Sequence, residues 1–266
     1  MEQRPTPSRF DRTKLLIGAQ GLKVLRRARI AVAGLGGVGS YTAEALARAG
    51  IGWLILIDYD DIEVTNTNRQ IHALAGNYGR AKVEVMAERI KAINPDCITV
   101  TWKEFIREEN LALLLQGALS YVVDAVDTVS AKISLIKYAV NNEIPVISAM
   151  GAGNKLDPWA LKVEDISKTH TCPLAKAVRK NLRDQGITKG VKVVFSTEPP
   201  VTAQGHTPSP SPAGENCDAC PSSSPSGCAC PRRRPSPGSI SYLPSLMGLM
   251  IAGEVIRDLL KEGETL

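Results

Sequence analysis

The residues able to do chemistry in this 266-residue chain gather in one stretch, "IDYDDIEVTNTNRQIH" (57–72). Three acids open it, Asp58, Asp60 and Asp61, and Asn66, Asn68, Arg69 and Gln70 follow within five positions. A carboxylate at Asp58 suits the hydroxyls of a ribose. An arginine so close behind suits something else, because its planar fork matches a phosphate bidentately. Hydride transfer leaves the hard chemistry to its cofactor. An enzyme that attacks a phosphate instead needs cations aimed at the oxygens where charge develops. Lys82, thirteen residues after Arg69, adds a second cation. Asn66 and Asn68 can bond neutral acceptors or hold Arg69 in place.

Upstream, Gly34, Gly36, Gly37 and Gly39 stand in "GLGGVG", a G-x-G-x-x-G turn between an apolar run and a helical one. Glycines there permit a tight turn and let a phosphate approach the helix N-terminus, whose free N–H groups favour anions. Asp58 comes nineteen residues after Gly39, at the end of the next apolar run. Together these read as an adenine-nucleotide site, against the ordinary alternative of tight helix-to-strand packing. They leave open whether the nucleotide is ATP or NAD. "DAVD" (124–127) puts Asp124 and Asp127 near the end of a later strand, where one carboxylate can hold Mg²⁺. Taken singly, Arg69 and Lys82 read as solvated surface charges and the two aspartates as helix caps. In register at consecutive strand ends, they favour ATP chemistry.

The elements that must position these groups alternate along the chain. "RIAVA", "WLILID", "CITVTW", "YVVDAVD" and "IPVISAM" read as strands, separated by helical patterns including a short one over "EENLALLLQG". That alternation predicts an α/β fold with a doubly wound, mostly parallel Rossmann-like sheet over residues 29–160. An N-terminal arm precedes it (1–28). A crossover region (161–202) follows, whose "ALKVEDI" and "VKVVFS" are expected as strands of a different sheet layer flanking the helix "CPLAKAVRKNLRDQG". The stretch from Pro199 to Pro237 holds ten of the seventeen prolines and cannot be regular structure. Residues 203–238 are accordingly an insert, and 239–266 are expected to supply a C-terminal strand and helix.

The formal net charge of +5 is compatible with an anionic partner without demanding one. No apolar leader opens the sequence, and the longest apolar run, Ser239 to Gly253, is interrupted by Pro244. A membrane span needs roughly 20 apolar residues, so this run reads as a buried helix and the expectation is a cytoplasmic protein without membrane contact. Of six cysteines, Cys217, Cys220, Cys228 and Cys230 crowd into fourteen positions. They read either as a Zn²⁺ site of one C-x-x-C and one C-x-C half or as a flexible, reduced, functionally quiet loop. Cys172, in "KTHTCPLAK", reads either as a nucleophile of a sulfur or ubiquitin-like relay or as a buried thiol at a helix start; the second is favoured.

"RFDR", "GLGGVGS", "DYDDIEVTNTNRQ", "GRAKVE", "INP" and "DAVD" together resemble the ubiquitin-activating-like superfamily. Its bacterial members include the adenylyltransferases of molybdopterin and thiamine sulfur carriers. The resemblance runs over residues 9–200 and resumes at 238. Within the superfamily, "TNTNRQIHAL" and "CPLAKAVRKNLRDQGI" are similar to the tRNA threonylcarbamoyladenosine dehydratase branch. By position, the resemblance implies that the glycine turn lies against ATP and that Asp58 holds the ribose. Asn66, Arg69 and Lys82 would bind phosphates, with Asp127 on the Mg²⁺ side. Arg12 would reach the phosphates of a partner subunit, which implies a homodimer. Asp60, Asn68, Gln70 and Asp124 complete the candidate nucleotide-binding set.

A tRNA substrate should leave a basic footprint. Lys176, Arg179, Lys180 and Arg183 fall at i, i+3, i+4 and i+7, opposite Ala175, Val178 and Leu182. The leading expectation is an enzyme that uses ATP to dehydrate threonylcarbamoyladenosine beside the tRNA anticodon, with a sulfur-transfer protein as a candidate further partner. An adenylyltransferase acting on the C-terminal glycine of a sulfur-carrier protein is the alternative; it would need an apolar groove and a working Cys172. A third reading, an NAD-dependent oxidoreductase, would have no use for Arg69 or Lys82.

Overall fold

The computed structural model describes residues 7–201 and 237–263. Seven strands form one sheet in the order β3-β2-β1-β4-β5-β7-β6. The strands are β1 Arg29–Ala33, β2 Trp53–Ile57, β3 Ile98–Trp102, β4 Tyr121–Asp124, β5 Val146–Ala149, β6 Leu161–Asp165 and β7 Lys192–Ser196. All neighbours run parallel except β6, which pairs antiparallel with β7. The central strands are largely apolar because both faces are covered. Ile30, Val32, Leu54 and Leu56 point into one core, and Ala31, Ala33, Ile55 and Ile57 into the other.

Helices α1 (Asp11–Arg27), α2 (Gly39–Ala49), α3 (Lys82–Ile93) and α7 (Tyr242–Glu262) cover the first face. Helices α4 (Leu111–Leu114), α5 (Val129–Asn141) and α6 (Pro173–Asp184) cover the second. Pro244 does not break α7, since it sits in the first turn, where its missing N–H has no intrahelical partner to lose. Gly18, at φ 72 and ψ 177, breaks α1 into two segments.

Two expectations are corrected. The strands β6 and β7 do not form another layer; they extend the same sheet, with Ser148 opposite Val193 and Glu164 opposite Val193 on the far side. β6 alternates between buried and exposed residues because it is the sheet edge, and an edge pattern resembles that of a separate, one-faced sheet. Nor do residues 237–241, before α7, form a strand. Gly238 and Ser239 bond instead to Asn154 and to the Asn68 side chain, away from both sheet edges.

Candidate active site

The strand order reverses between β1 and β4, and the C-terminal ends of β1, β2, β4 and β5 open there into a cleft of about 660 Å³. This is the position where open α/β sheets bind ligands. The glycine turn forms one wall. Gly34 has φ 84, and a Cβ there would stand 2.6 Å from the Ala125 carbonyl oxygen. A Cβ on Gly39 would stand 1.8 Å from the Gly34 carbonyl oxygen. At Gly36 the nearest atom is Gln70 Nε2, at 4.0 Å. Gly34 and Gly39 are therefore required by the chain itself, whereas Gly36 leaves open space beside the cleft.

Asp58 ends β2 and is 8% exposed. The Leu35 N–H donates to its Oδ2 at 2.5 Å and the Asp60 N–H to its Oδ1 at 2.9 Å, which locks the carboxylate to the glycine turn. Burial pushes its carboxyl above the ordinary range, opposed chiefly by the charge of Lys82. Lys82 opens α3, is 5% exposed and donates to Asp60 at 2.6 Å, with Asp58 at 3.9 Å. This lysine is thus paired with the acids that follow β2; it would reach a phosphate only by sharing or leaving Asp60. Asp60 stands as its partner.

Arg69 follows a 3-10 turn, Val64–Asn66, that Asn66 and Glu63 cap reciprocally. Asn66 is buried, accepting the Glu63 N–H, and its carbonyl oxygen accepts the N–H groups of Arg69 and Gln70. The Arg69 guanidinium donates from Nη1 to the Thr65 carbonyl at 3.0 Å and to Asn68 Oδ1 at 2.9 Å. Asn68 therefore holds Arg69, one of the two roles open to it from sequence. Gln70 is 6% exposed and lines the cleft, and its Oε1 has no protein hydrogen-bond partner among the described residues.

The two aspartates of "DAVD" part company. Asp127 is exposed at the cleft, with the Thr128 hydroxyl at 3.4 Å. Asp124 is fully buried and does not line the cleft; it is bound to Lys132 and Ser148. Its assignment to nucleotide binding is thereby corrected: its oxygens are taken up by Lys132, Ser148 and the Val126 N–H and are shut off from the cleft. Among the described residues no group of three His, Cys, Asp or Glu could hold a metal by itself. One exposed carboxylate at the cleft still fits Mg²⁺, which is commonly held by one or two carboxylates together with substrate phosphates.

Sequence reasoning missed the apolar side of the cleft. Phe105 and Ile106 beyond β3, with Val126 and Ala131, line it, and Tyr59 packs edge-on against Phe105 at 5.1 Å. These supply surfaces for a flat base. Their signal was their position just past strand ends. On the far side, Met150 to Gly153, Leu174, Ser239 and Pro244 complete the lining.

Other expected residues lie apart. Arg12 is exposed on α1 and does not line the cleft of its own chain. Lys176, Lys180 and Arg183 are exposed on α6, while Arg179 is half-buried and donates to the Thr169 carbonyl at 2.6 Å. Cys172 is 2% exposed at the start of α6, as expected of a buried thiol at a helix start. Cys217, Cys220, Cys228 and Cys230 lie outside the described residues.

The family model described as ThiF matches residues 10–266. The chain is 44% identical over 255 residues to the tRNA threonylcarbamoyladenosine dehydratase of Bacillus subtilis, covering 96% of each. It is 49% identical over 197 residues to the Escherichia coli protein of the same name, covering 71% of this chain and 74% of that one. The crystal structure of E. coli tRNA N6-threonylcarbamoyladenosine dehydratase in complex with ATP superposes with a TM-score of 0.81 at 38% identity, covering 96% of this chain and 95% of that one.

Proposed function

The chain belongs to the ThiF family, and from that premise we propose that it is an ATP-dependent tRNA threonylcarbamoyladenosine dehydratase. The observation that carries the reading is the gathering of Asp58, Arg69, Lys82 and Asp127 around one glycine turn. Identity of 44% spread over nearly the whole of both chains supports it, as does the fit to a relative that was crystallised with ATP.

The substrate is a free carboxylate on a modified adenosine, a poor electrophile because hydroxide would have to leave. Attack of a carboxylate oxygen on the α or the γ phosphorus of ATP gives a mixed anhydride and displaces pyrophosphate or ADP, respectively. The neighbouring carbamoyl group then attacks the acyl carbon and gives up a proton, a ring closes, and AMP or phosphate departs with the former carboxylate oxygen. One water is lost overall at the expense of one ATP. The second step is intramolecular, so proximity supplies much of its rate and no cysteine nucleophile is needed. Accordingly Cys172 stays in the core.

Within this reading Asp58 orients the ribose, and Asn66 shapes the turn that presents Arg69. The Arg69 fork meets the phosphates, with Lys82 shared between Asp60 and the anion. Gln70 lines the cleft beside Gly36, its Nε2 4.0 Å from where a Cβ on that glycine would stand. Asp127 would hold Mg²⁺, which would supply positive charge to offset that of the phosphates. The exposed stripe of Lys176, Lys180 and Arg183 would meet tRNA phosphates. A homodimer is supported by Leu15 and Leu16, 83% and 84% exposed beside Arg12 on a helix that packs against α7. No helix among the described residues is long and apolar enough to cross a membrane, and a tRNA substrate supports a cytoplasmic location.

The deciding experiment is mass spectrometry of anticodon-loop nucleosides after tRNA is incubated with the protein and ATP. Loss of one water from threonylcarbamoyladenosine is expected. Unchanged tRNA, together with pyrophosphate exchange that depends on a sulfur-carrier protein, would sink the proposal in favour of the adenylyltransferase reading. Arg69→Ala is expected to cut turnover about 10²–10³-fold with an unchanged melting temperature.

A further inference from the structure

One residue fastens the chain on both sides of the 202–236 stretch. The Asn154 N–H donates to the Gly238 carbonyl at 2.8 Å, and Asn154 Oδ1 accepts the Gly238 N–H at 2.6 Å. Its own carbonyl accepts the Val201 N–H at 2.7 Å. Asn154 does this at φ 58, a left-handed conformation that asparagine, aspartate and glycine enter more readily than other residues. Beside it, a Cβ on Gly153 would stand 2.7 Å from Pro237 Cβ, so the two segments pack with almost no space between them.

The next residue carries the contact across the cleft. Asn68 Nδ2 donates to the Ser239 carbonyl at 3.0 Å, and Asn68 Oδ1 accepts from Arg69 Nη1 at 2.9 Å. The amide group of Asn68 is thus oriented at both ends. An unbroken path of chain and hydrogen bonds runs from Asn154 through Gly238, Ser239 and Asn68 to the Arg69 guanidinium. Gly153, Pro237, Ser239 and Arg69 all line the cleft. The two bonds that Arg69 makes to Thr65 and Asn68 both use Nη1, which leaves its other donors outside this path.

We propose that Asn154 is a positioning residue for the phosphate site: by clasping Gly238 it sets the place of Ser239 and, through Asn68, the direction of the Arg69 fork. This rests on the ATP reading above. The sequence gap from Asn154 to Gly238 is 84 residues, so the device exists only once both sides of the sheet have assembled. It also gives the glycine turn a second wall whose position is fixed by hydrogen bonds as well as by the close packing of Gly153 on Pro237.

The test is ATP binding by the full chain, measured by calorimetry. Asn154→Gly keeps the backbone freedom but removes the side-chain acceptor; Asn154→Asp keeps both the acceptor and access to the left-handed region. Asn154→Gly is expected to weaken ATP binding about tenfold, the range of one lost hydrogen bond. Asn154→Asp is expected to restore affinity to within about twofold. In an Asn68→Ala background, Asn154→Gly should cost little more, because the path is already cut. Unchanged ATP affinity in Asn154→Gly, an Asn154→Asp variant as weak as Asn154→Gly, or strictly additive losses with Asn68→Ala would each overturn the proposal. A wild-type chain that fails to bind ATP would overturn it together with the functional reading, an outcome distinct from all three.

Discussion

Lys132 on α5 and Asp124 at the end of β4 form an ion pair of 2.7 Å in which neither side chain is exposed. Lys132 also donates to the Ala149 carbonyl at 2.9 Å, and Asp124 accepts the Val126 N–H at 3.2 Å. Since Ala125, Val126, Ala149 and Met150 line the cleft, this pair ties together the two strand ends that form its floor. Burial pushes the Asp124 carboxyl upward, and Lys132 is foremost among the groups opposing that. Removing one partner of such a pair strands the other charge, at about 3–5 kcal/mol. Lys132→Met is expected to lose that much stability in urea denaturation. Adding Asp124→Leu should recover most of it, because an apolar pair has no charge to strand. An unchanged midpoint in Lys132→Met would show that the pair does not hold the floor.

Gly36 and Gly39 are two steps of one motif with different physical duties. The Gly39→Ala methyl would overlap the Gly34 carbonyl oxygen at 1.8 Å, and backbone cannot yield that far. It should abolish folding or lower the melting temperature drastically. Gly36→Ala meets only Gln70 Nε2 at 4.0 Å, so it should fold like the wild type and yet lose ATP binding, its methyl standing where the phosphates approach the turn. Equal melting temperatures for the two variants would contradict this division.

The sheet and the nucleotide pole of the site were legible because local pattern encodes them. Ile30 and Val32 against Ala31 and Ala33 announce a strand buried on both faces, and the glycines with Asp58 announce a turn with a carboxylate fastened to it. Asp124 was misread because an aspartate at a strand end looks the same whether it faces ligand or core. Only the fold brings Lys132, a polar residue in an otherwise ordinary helix, up against it. Asn154 was invisible for another reason: its partners, Val201 and Gly238, are distant in sequence and carry no periodic signal. β6 misled because the alternation of an edge strand does not say which sheet it edges.

His72 makes a pH prediction. Its ring is 1% exposed and neither nitrogen has a hydrogen-bond partner among the described residues. Burial first, then the charges of Lys82 and Arg89, lowers its pKa from 6.5 to about 4. A base with a depressed folded pKa contributes stability that is fully present above 6.5 and is lost as the pH falls toward 4. The size of that shift corresponds to about 3 kcal/mol. His72→Phe keeps a ring of similar size and removes the titration. Urea midpoints measured from pH 7 down to pH 4 should fall more steeply for the wild type than for the variant; parallel slopes would show that His72 is not the titrating group.

The α6 stripe separates a structural arginine from three free cations. Arg179 donates to both the carbonyl and the hydroxyl of Thr169, fixing the loop that leads into α6. Lys176, Lys180 and Arg183 are exposed on the same helix, and no ion pair involving any of them is found among the described residues. Each phosphate contact releases counterions, so its loss lowers the slope of log K against log salt by about one. Replacing Lys176, Lys180 and Arg183 by alanine should weaken tRNA binding by similar factors for different anticodon sequences, reduce that slope by up to about three, and leave ATP affinity unchanged. Arg179→Ala should do the reverse, lowering the melting temperature while leaving most of the salt slope in place. Filter-binding titrations across a salt series distinguish the two, and an unaltered slope in the triple variant would move the tRNA surface to another face of the molecule.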